Sequence, residues 1–333
     1  MSRGGLDPDR LRDALRRHLD PRAEVVDLER LSGGASRETW SFDVVGIDGG
    51  RVPLILRRDP TGGGTLDTST TTRRDEYDLV RAAAAAGVAV PPLRFPLEPD
   101  DELGDGFVMD RVAGETLGRR IVESDELSTA RTLVAAQCGA ILARIHAIPL
   151  DAVPLTAPSA GATATDSQLD QFERLLDGFG VARPVLELAL RWLRDDAPPP
   201  GRVSVVHGDF RVGNLIVGPD GVRAVLDWEL AHVGDPVEDI GWLCVRSWRF
   251  GGSGRVGGVG DLEDLLDAYH RESGERIDPE DVRYWEVFGN LRWAVICLVQ
   301  AFQHLRGPRR SVELAAIGRR VCEVEHDLME LLG

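Results

Sequence analysis

The sequence of 333 residues contains no lysine, so all 39 basic residues are arginine. A P-loop needs the lysine of its GK[ST] motif and Schiff-base catalysis needs a side-chain amine, so both chemistries are excluded. Any nucleotide site must therefore take its positive charge from arginine, which is planar and effectively always protonated. Asparagine is almost as scarce, because it occurs only at Asn214 and Asn290.

Cysteine and long apolar runs are also rare. The four cysteines form no CxxC pair, which predicts buried thiols in a reducing compartment and neither a disulfide framework nor a zinc site. They are Cys138, Cys244, Cys297 and Cys322. The first residues show no apolar segment typical of a signal peptide, and the apolar run at 293–299 is too short to span a bilayer. We therefore expect a cytoplasmic protein without a membrane partner.

Acidic residues outnumber basic ones by 55 to 39, which gives a formal net charge of −16. This balance argues against nucleic acid or an anionic membrane as a partner. Its simplest interpretation is solubility, although it leaves room for a cationic substrate. The length favours two lobes, and the sequence does not indicate an oligomeric state.

Hydrophobic periodicity divides the chain into a sheet-rich part, residues 1–112, and a mainly helical part, residues 113–333. In the first part the pattern predicts helices at 7–19 and 73–87, and strands at 24–31, 39–47, 52–57, 88–95 and 106–112. In the second part it predicts helices at 127–147, 168–178, 184–195, 261–273, 279–304 and 312–331.

Two segments rich in small residues, 149–166 and 250–260, are predicted to be flexible loops. The second contains a GxGxxG pattern formed by Gly252, Gly254 and Gly257. A dinucleotide fingerprint must follow a strand and begin a helix, whereas these glycines lead into more glycine. The pattern is therefore not interpreted as a nucleotide site.

The segment 203–229 carries the strongest chemical signal. Short apolar runs flank the turn sequence GPDG, which predicts a β-hairpin over 215–226. Asn214 precedes the first strand and Asp227 follows the second, so the two side chains converge at the open end of the hairpin. Asp209 lies five residues upstream. Such a set of oxygen ligands suits Mg²⁺, although Asn214 and Asp227 could instead cap the turn.

The residues from His207 to Asn214 read HGDFRVGN, which resembles the HGDxxxxN motif of the aminoglycoside phosphotransferase and choline kinase superfamily. The LDWE sequence at 226–229 is similar to the metal-binding segment of that superfamily, and Gly234-Asp235-Pro236 with Asp239 matches the element that commonly follows. The resemblance covers nearly the whole chain and is strongest to the branch associated with acyl-CoA dehydrogenases. It implies an α+β bilobal protein-kinase-like fold, with a small antiparallel sheet lobe and a larger helical lobe.

The same resemblance implies an ATP- and Mg²⁺-dependent transfer of phosphate to a hydroxyl group of a small molecule. Asp209 would be the catalytic base, and Asn214 and Asp227 would hold Mg²⁺. His207 would orient the loop through hydrogen bonds. Arg211 would either contact a phosphate or pair with an acidic neighbour.

On the nucleotide side, Arg57 falls at the position of the lysine that is usual in kinase-like folds, and Glu76 would be its helix partner. Strand alternation places Arg57 and Arg58 on opposite faces. An ordinary surface salt bridge remains the alternative for Arg57 and Glu76. The remaining expected nucleotide-binding residues are those of the phosphate-covering loop and the hinge strand, namely Ser32, Gly33, Gly34, Ser36, Met109, Asp110 and Val112. Met109 could equally belong to the core.

The acceptor is less well specified. Glu229 and Arg211 are candidate substrate contacts, and Glu229 with its acidic neighbours would attract an aminoglycoside-like cation. The resemblance to the acyl-CoA-dehydrogenase branch indicates a hydroxyacyl or CoA-linked acceptor instead. Because arginine replaces the lysine, a nucleotide-binding pseudokinase is the competing hypothesis.

Overall fold

The computed structural model describes residues 5–31, 38–46, 49–59, 71–157, 164–199, 201–307 and 310–333. The chain divides into two compact units. Unit 1 comprises Met1–Gly114, Asp151–Pro154 and Arg223–Leu230. Unit 2 comprises Glu115–Leu150, Leu155–Val222 and Ala231–Gly333. Asp227 and Glu229 therefore belong to unit 1, although they lie far along the chain from the rest of it.

Unit 1 is built on a five-stranded sheet of order β1-β2-β3-β5-β4 in which all neighbouring strands are antiparallel. Its strands are β1 (Glu24–Leu31), β2 (Glu38–Val45), β3 (Arg51–Asp59), β4 (Leu93–Pro96) and β5 (Asp105–Asp110). Strand β4 is shorter than the predicted 88–95, because Pro91 and Pro92 lack the amide hydrogen that a ladder needs.

Each face of this sheet carries one helix. Helix α1 (Pro8–His18) begins at Asp7, whose carboxylate accepts the amide of Asp9, and buries Leu11 and Leu15 in the core cluster of the sheet. Helix α2 (Arg73–Ala85) begins with a capping box between Thr72 and Asp75. These caps satisfy amides that have no partner within the helix and fix where α2 starts.

Unit 2 is mainly helical. Its helices are α3 (Gly118–Glu123), α4 (Ser128–His146), α5 (Ala164–Phe179), α6 (Pro184–Asp195), α7 (Val237–Cys244), α8 (Leu262–Ser273), α9 (Pro279–Arg306), α10 (Val312–Arg319) and α11 (Val321–Leu332). The long helix α9 packs against α5, α6, α7, α10 and α11 and forms the centre of the core. The predicted helix 312–331 is two helices, α10 and α11, which meet at Arg320.

Four short strands accompany these helices. Strand β6 (Ser204–Val206) pairs with β9 (His232–Gly234), and β7 (Leu215–Gly218) pairs with β8 (Gly221–Val225). The predicted hairpin is therefore present. Helices α3 and α7 were not predicted from the sequence.

The 250–260 segment differs from the predicted flexible loop. Val256 is fully buried, and its amide donates to the carbonyl of Gly260. Gly258 has φ +80°, and a Cβ there would lie 2.1 Å from the carbonyl oxygen of Arg249. The glycines therefore allow close packing of the backbone.

Cys322 also departs from the prediction of buried thiols, because it is exposed while the other three cysteines are buried. Among the described residues, no helix combines the length and apolar character needed to cross a bilayer. The α+β kinase-like class predicted from the sequence is confirmed by the sheet of unit 1 and the helices of unit 2.

Candidate active site

The loop after β6 holds Asp209. Gly208 has φ +79°, a conformation that favours glycine and lets the chain turn sharply there. The amides of His207 and Gly208 donate to the two carboxylate oxygens of Asp239, at 2.8 and 2.9 Å. The amide of Asp209 donates to His207 Nδ1 at 3.2 Å. His207 thus orients the loop, as expected.

Asp239 is fully buried on α7 and is also bound by a histidine. Its Oδ2 lies 3.2 Å from His146 Nε2, and His146 Nδ1 lies 3.1 Å from the hydroxyl of Tyr269. Burial alone would raise the pKa of Asp239, but the hydrogen bond and charge of His146 outweigh it and hold that pKa below its usual value. Asp239 is therefore a charged anchor for the catalytic loop.

Three side chains donate to the carboxylate of Asp209. Trp242 Nε1 donates to Oδ1 at 2.8 Å, and Asn214 Nδ2 donates to Oδ2 at 2.7 Å. Arg211 Nε lies 3.1 and 3.3 Å from the two oxygens. The carboxylate has about four lone-pair positions, so it retains capacity for a further hydrogen bond. Arg211, which could have served either role, pairs here with its acidic neighbour.

Packed aromatic rings hold two of these donors. Trp242 and Trp248 lie 5.1 Å apart between ring centroids, and Arg292 lies over the ring of Trp242 at 4.9 Å. Arg211 lies over the ring of Trp248 at 5.0 Å. Cation–π contacts and close packing restrict these side chains. Trp242 and Trp248 are almost fully buried, so both belong to the core of unit 2 as well as to the surroundings of Asp209.

Asn214 ends a short 3₁₀ turn, Val212–Asn214, directly before β7. Its amide nitrogen is used by Asp209, through both the carbonyl and the carboxylate, which leaves the amide oxygen for another partner. The second asparagine has a different role. Asn290 is buried in α9 and donates to the backbone carbonyl of Glu286.

In unit 1, Arg57 is surrounded by carboxylates. Its Nη2 lies 2.8 Å from Asp227 Oδ1, 3.2 Å from Glu76 Oε1 and 3.8 Å from Glu229 Oε2. Burial alone would lower the pKa of Arg57, but the carboxylates of Glu76 and Asp227 outweigh it and raise that pKa. Arg57 is therefore a permanent buried cation. Asp227 has φ +68°, which is uncommon outside glycine.

Arg73, a residue that the sequence did not single out, completes this cluster. Its Nη1 binds the second oxygen of Glu76, and its Nε donates to Asp59 at 3.2 Å. Its Nη2 is buried without a hydrogen-bond partner among the described residues, and lies 3.6 Å from Glu229 Oε2. The abundance of arginine hid this signal, because nothing in the pattern distinguishes Arg73 from its neighbour Arg74.

The expected hinge residues follow β5. Met109 is buried with Ile55 and Phe107, so its side chain belongs to the core. The amide of Asp110 donates to the carbonyl of Pro92. The amide of Val112 has no partner among the described residues, which leaves it available to a ligand. The expected phosphate-covering residues Ser32, Gly33, Gly34 and Ser36 lie outside the described part of the chain.

The acidic residues that could have attracted a cation already have partners. Glu229 contacts Arg57 and Arg73, as described above. In unit 2, Glu238 lies 3.0 Å from His232 Nε2 and 3.3 Å from Arg292 Nη1. Asp235 accepts the amide of Val237 at the start of α7, and burial raises its pKa. These carboxylates act mainly on their own units.

The solved structures with similar folds are phosphotransferases. A Ralstonia eutropha protein assigned to the aminoglycoside phosphotransferases aligns with a TM-score of 0.74 and 21% identity over 98% of both chains. A thermostable mutant of aminoglycoside phosphotransferase APH(4)-Ia, solved with ADP and hygromycin B, aligns with a TM-score of 0.60 and 19% identity over 95% of this chain and 98% of its own. At these identities the similarity establishes the fold.

Sequence relatives give the family. Acyl-CoA dehydrogenase family member 10 of Mus musculus is 31% identical over 196 residues, which are 58% of this chain. The match spans only 18% of that longer protein. The phosphotransferase enzyme family known as APH matches residues 27–285. The chain therefore belongs to the APH phosphotransferase enzyme family.

Proposed function

We propose that this protein transfers the γ-phosphate of ATP to a hydroxyl group of a small molecule. The observation that carries the proposal is the Asp209 carboxylate, which Trp242, Asn214 and Arg211 fix while one acceptor position stays available. The substrate oxygen forms a bond to the γ-phosphorus as the bond to the β–γ bridging oxygen breaks. ADP leaves, and Asp209 accepts the hydroxyl proton.

Arg57 supplies the positive charge for the nucleotide phosphates. Only its Nη2 makes contacts with described residues, so Nε and Nη1 remain available as donors. Arginine presents these donors in a fixed plane that matches phosphate oxygens. The amide of Val112 would meet the adenine ring beside Asp110 and Met109. The small residues Ser32, Gly33, Gly34 and Ser36 would cover the phosphates.

Asn214 and Asp227 would hold Mg²⁺. An amide oxygen and a carboxylate are the hard ligands that this ion prefers, and Mg²⁺ usually takes few protein ligands beside substrate phosphates. No group of three or more acidic, histidine or cysteine side chains in the described ranges could hold a metal alone, which agrees with a site completed by nucleotide. When bound, the ion neutralises charge that develops on the phosphates.

For the acceptor we propose a hydroxyacyl or CoA-linked compound in preference to an aminoglycoside-like cation. Glu229 and Glu238 already contact arginine or histidine, so neither offers an unpaired charge to a polycation. The relatives named as acyl-CoA dehydrogenase family members support the same choice. Hygromycin B in the complex of a structural neighbour supports the alternative.

A nucleotide-binding pseudokinase is the second candidate, because Arg57 stands in place of lysine and contacts Asp227 directly. Calorimetric titration with Mg·ATP, combined with an ATP-turnover assay over aminoglycosides, amino alcohols and hydroxyacyl-CoA thioesters, separates the two. We expect binding and turnover that Asp209→Ala and Asp227→Ala each abolish. Binding without turnover on any acceptor would favour the pseudokinase.

A further inference from the structure

Four side chains of unit 1 form a closed ring of alternating charge, which we call the charge ring. It consists of Arg57, Glu76, Arg73 and Glu229. Glu76 shares its two oxygens between Arg57 and Arg73. Glu229 Oε2 lies 3.8 Å from Arg57 Nη2 and 3.6 Å from Arg73 Nη2. Both arginines therefore share both glutamates.

The ring is buried unevenly. The side chains of Arg73 and Glu76 are 2% exposed, whereas those of Arg57 and Glu229 are 15% and 26% exposed. Arg73 is also tied to the sheet, because its Nε donates to Asp59 and its amide donates to Asp105. Asp59 lies two residues after Arg57 on β3 and so shares its face. Arg73 is thus the fixed corner of the ring.

A guanidinium at position 57 has a requirement that a lysine would not have. An ammonium is a compact charge whose donors rotate freely, so one glutamate suffices to hold it. A guanidinium donates within one plane, and that plane must be fixed before its remaining donors can meet phosphate oxygens. A single oxygen of Glu76 would fix the position of Arg57 but not the tilt of its plane.

We propose that Arg73 is a positioning residue that makes arginine effective at position 57. By binding the second oxygen of Glu76 and approaching Glu229, Arg73 holds both carboxylates that contact Arg57 Nη2. The plane of Arg57 is then set from two sides, with Nε and Nη1 directed away from the ring. This inference rests on the proposed function, because it concerns how Arg57 binds the phosphates of ATP.

The inference also changes the role expected for Glu229. Its side chain belongs to the charge ring, and its backbone carbonyl accepts the hydroxyl of Thr71, directly before α2, at 2.8 Å. Glu229 should therefore influence nucleotide affinity more than acceptor affinity. Replacement by glutamine should raise the KM for ATP while leaving the KM for the acceptor nearly unchanged.

The test is a double-mutant cycle on the full chain, with the dissociation constant of Mg·ATP measured by calorimetry. The proteins are the wild type, Arg57→Lys, Arg73→Gln and the double variant. The matched control is Arg74→Gln, because Arg74 is adjacent on α2 but exposed, and pairs only with surface carboxylates. Arg73→Lys, which retains the charge without the plane, is a second variant in case Arg73→Gln folds poorly.

We expect Arg73→Gln to weaken Mg·ATP binding about ten-fold, the loss of one charge-assisted hydrogen bond, when residue 57 is arginine. With lysine at position 57 the same substitution should change binding by less than about two-fold. Arg74→Gln should have no effect. Equal losses in both backgrounds, or no loss in either, would overturn the role of Arg73. A wild type that does not bind Mg·ATP would instead remove the proposed function.

Discussion

The two charged groups at the centre of this account are held in opposite ways. Arg57 in unit 1 is a cation whose contacts are carboxylates, so its position depends on a balance of mobile charges. Asp209 in unit 2 is an anion whose donors include an indole packed between Trp248 and Arg292, so its position depends on packing. A packed donor keeps its place after a neighbouring charge changes, whereas a shared carboxylate does not.

The largest expected effect concerns the anion itself. Asp209→Ala should lower kcat for phosphate transfer by about a thousand-fold, because the group that accepts the hydroxyl proton is lost. Mg·ATP affinity should remain within a few-fold of the wild type, since Arg57 is untouched. Single-turnover transfer and calorimetry measure the two effects. A large loss of ATP affinity would show that the two clusters are not separable in function.

The next effect concerns the anchor of the catalytic loop. Asp239→Asn should lower the free energy of unfolding by about 3 kcal/mol, because two loop amides and His146 lose a buried charged partner. The pKa of Asp239 is lowered in the folded protein, so this contribution is present above about pH 4 and is lost as pH falls through the folded pKa.

Denaturant unfolding at neutral pH and near pH 3 measures this contribution. The difference between the wild type and Asp239→Asn should shrink at the acidic pH. A difference that stays constant would contradict the assignment of a charged anchor.

A smaller effect sharpens the role of packing around Asp209. Trp242→Phe removes the indole donor but keeps an aromatic ring, so kcat should fall about ten-fold with little change in either KM. Trp248→Phe is the matched control, because Trp248 belongs to the same stack but does not donate to Asp209. If both variants lower kcat equally, the stack matters only as packing, and the hydrogen bond is not the positioning contact.

The smallest effect has the opposite sign to that of Asp239. Burial raises the pKa of Asp235, so its ionised form costs stability once the pH exceeds the folded pKa. Asp235→Asn keeps an oxygen for the amide of Val237 and should stabilise the protein at neutral pH by less than about 1 kcal/mol. The thermal midpoint at pH 7 and near pH 4 measures it. A lower midpoint at pH 7 would show that the carboxylate charge at the start of α7 is needed.

The parts of the site that follow from local pattern were accessible from the sequence. The hairpin β7–β8 is predicted by its turn residues, and the HGDFRVGN motif places Asp209 and Asn214 close together. The Arg57–Glu76 contact also matches its prediction. The assignment of catalytic, metal and nucleotide roles to these residues stays a prediction.

Other contacts required the fold. Trp242 reaches Asp209 across 33 residues of sequence, and helix α7, which carries Trp242, was not predicted. Arg73 reaches Glu229 only because a distant segment belongs to unit 1. In a chain where every basic residue is arginine, the sequence cannot distinguish a buried arginine from an exposed one. Burial and partners decide this, and both are tertiary properties.

The most direct test of the central claim is to follow the γ-phosphate of ATP by mass spectrometry of the acceptor, with wild type and Asp209→Ala in parallel. The acceptors are aminoglycosides, amino alcohols and hydroxyacyl-CoA thioesters. The account predicts a phosphorylated acceptor with the wild type and none with Asp209→Ala, although both proteins bind Mg·ATP equally. Equal transfer by the two proteins, or Mg·ATP binding by the wild type without transfer to any of these acceptors, would contradict it.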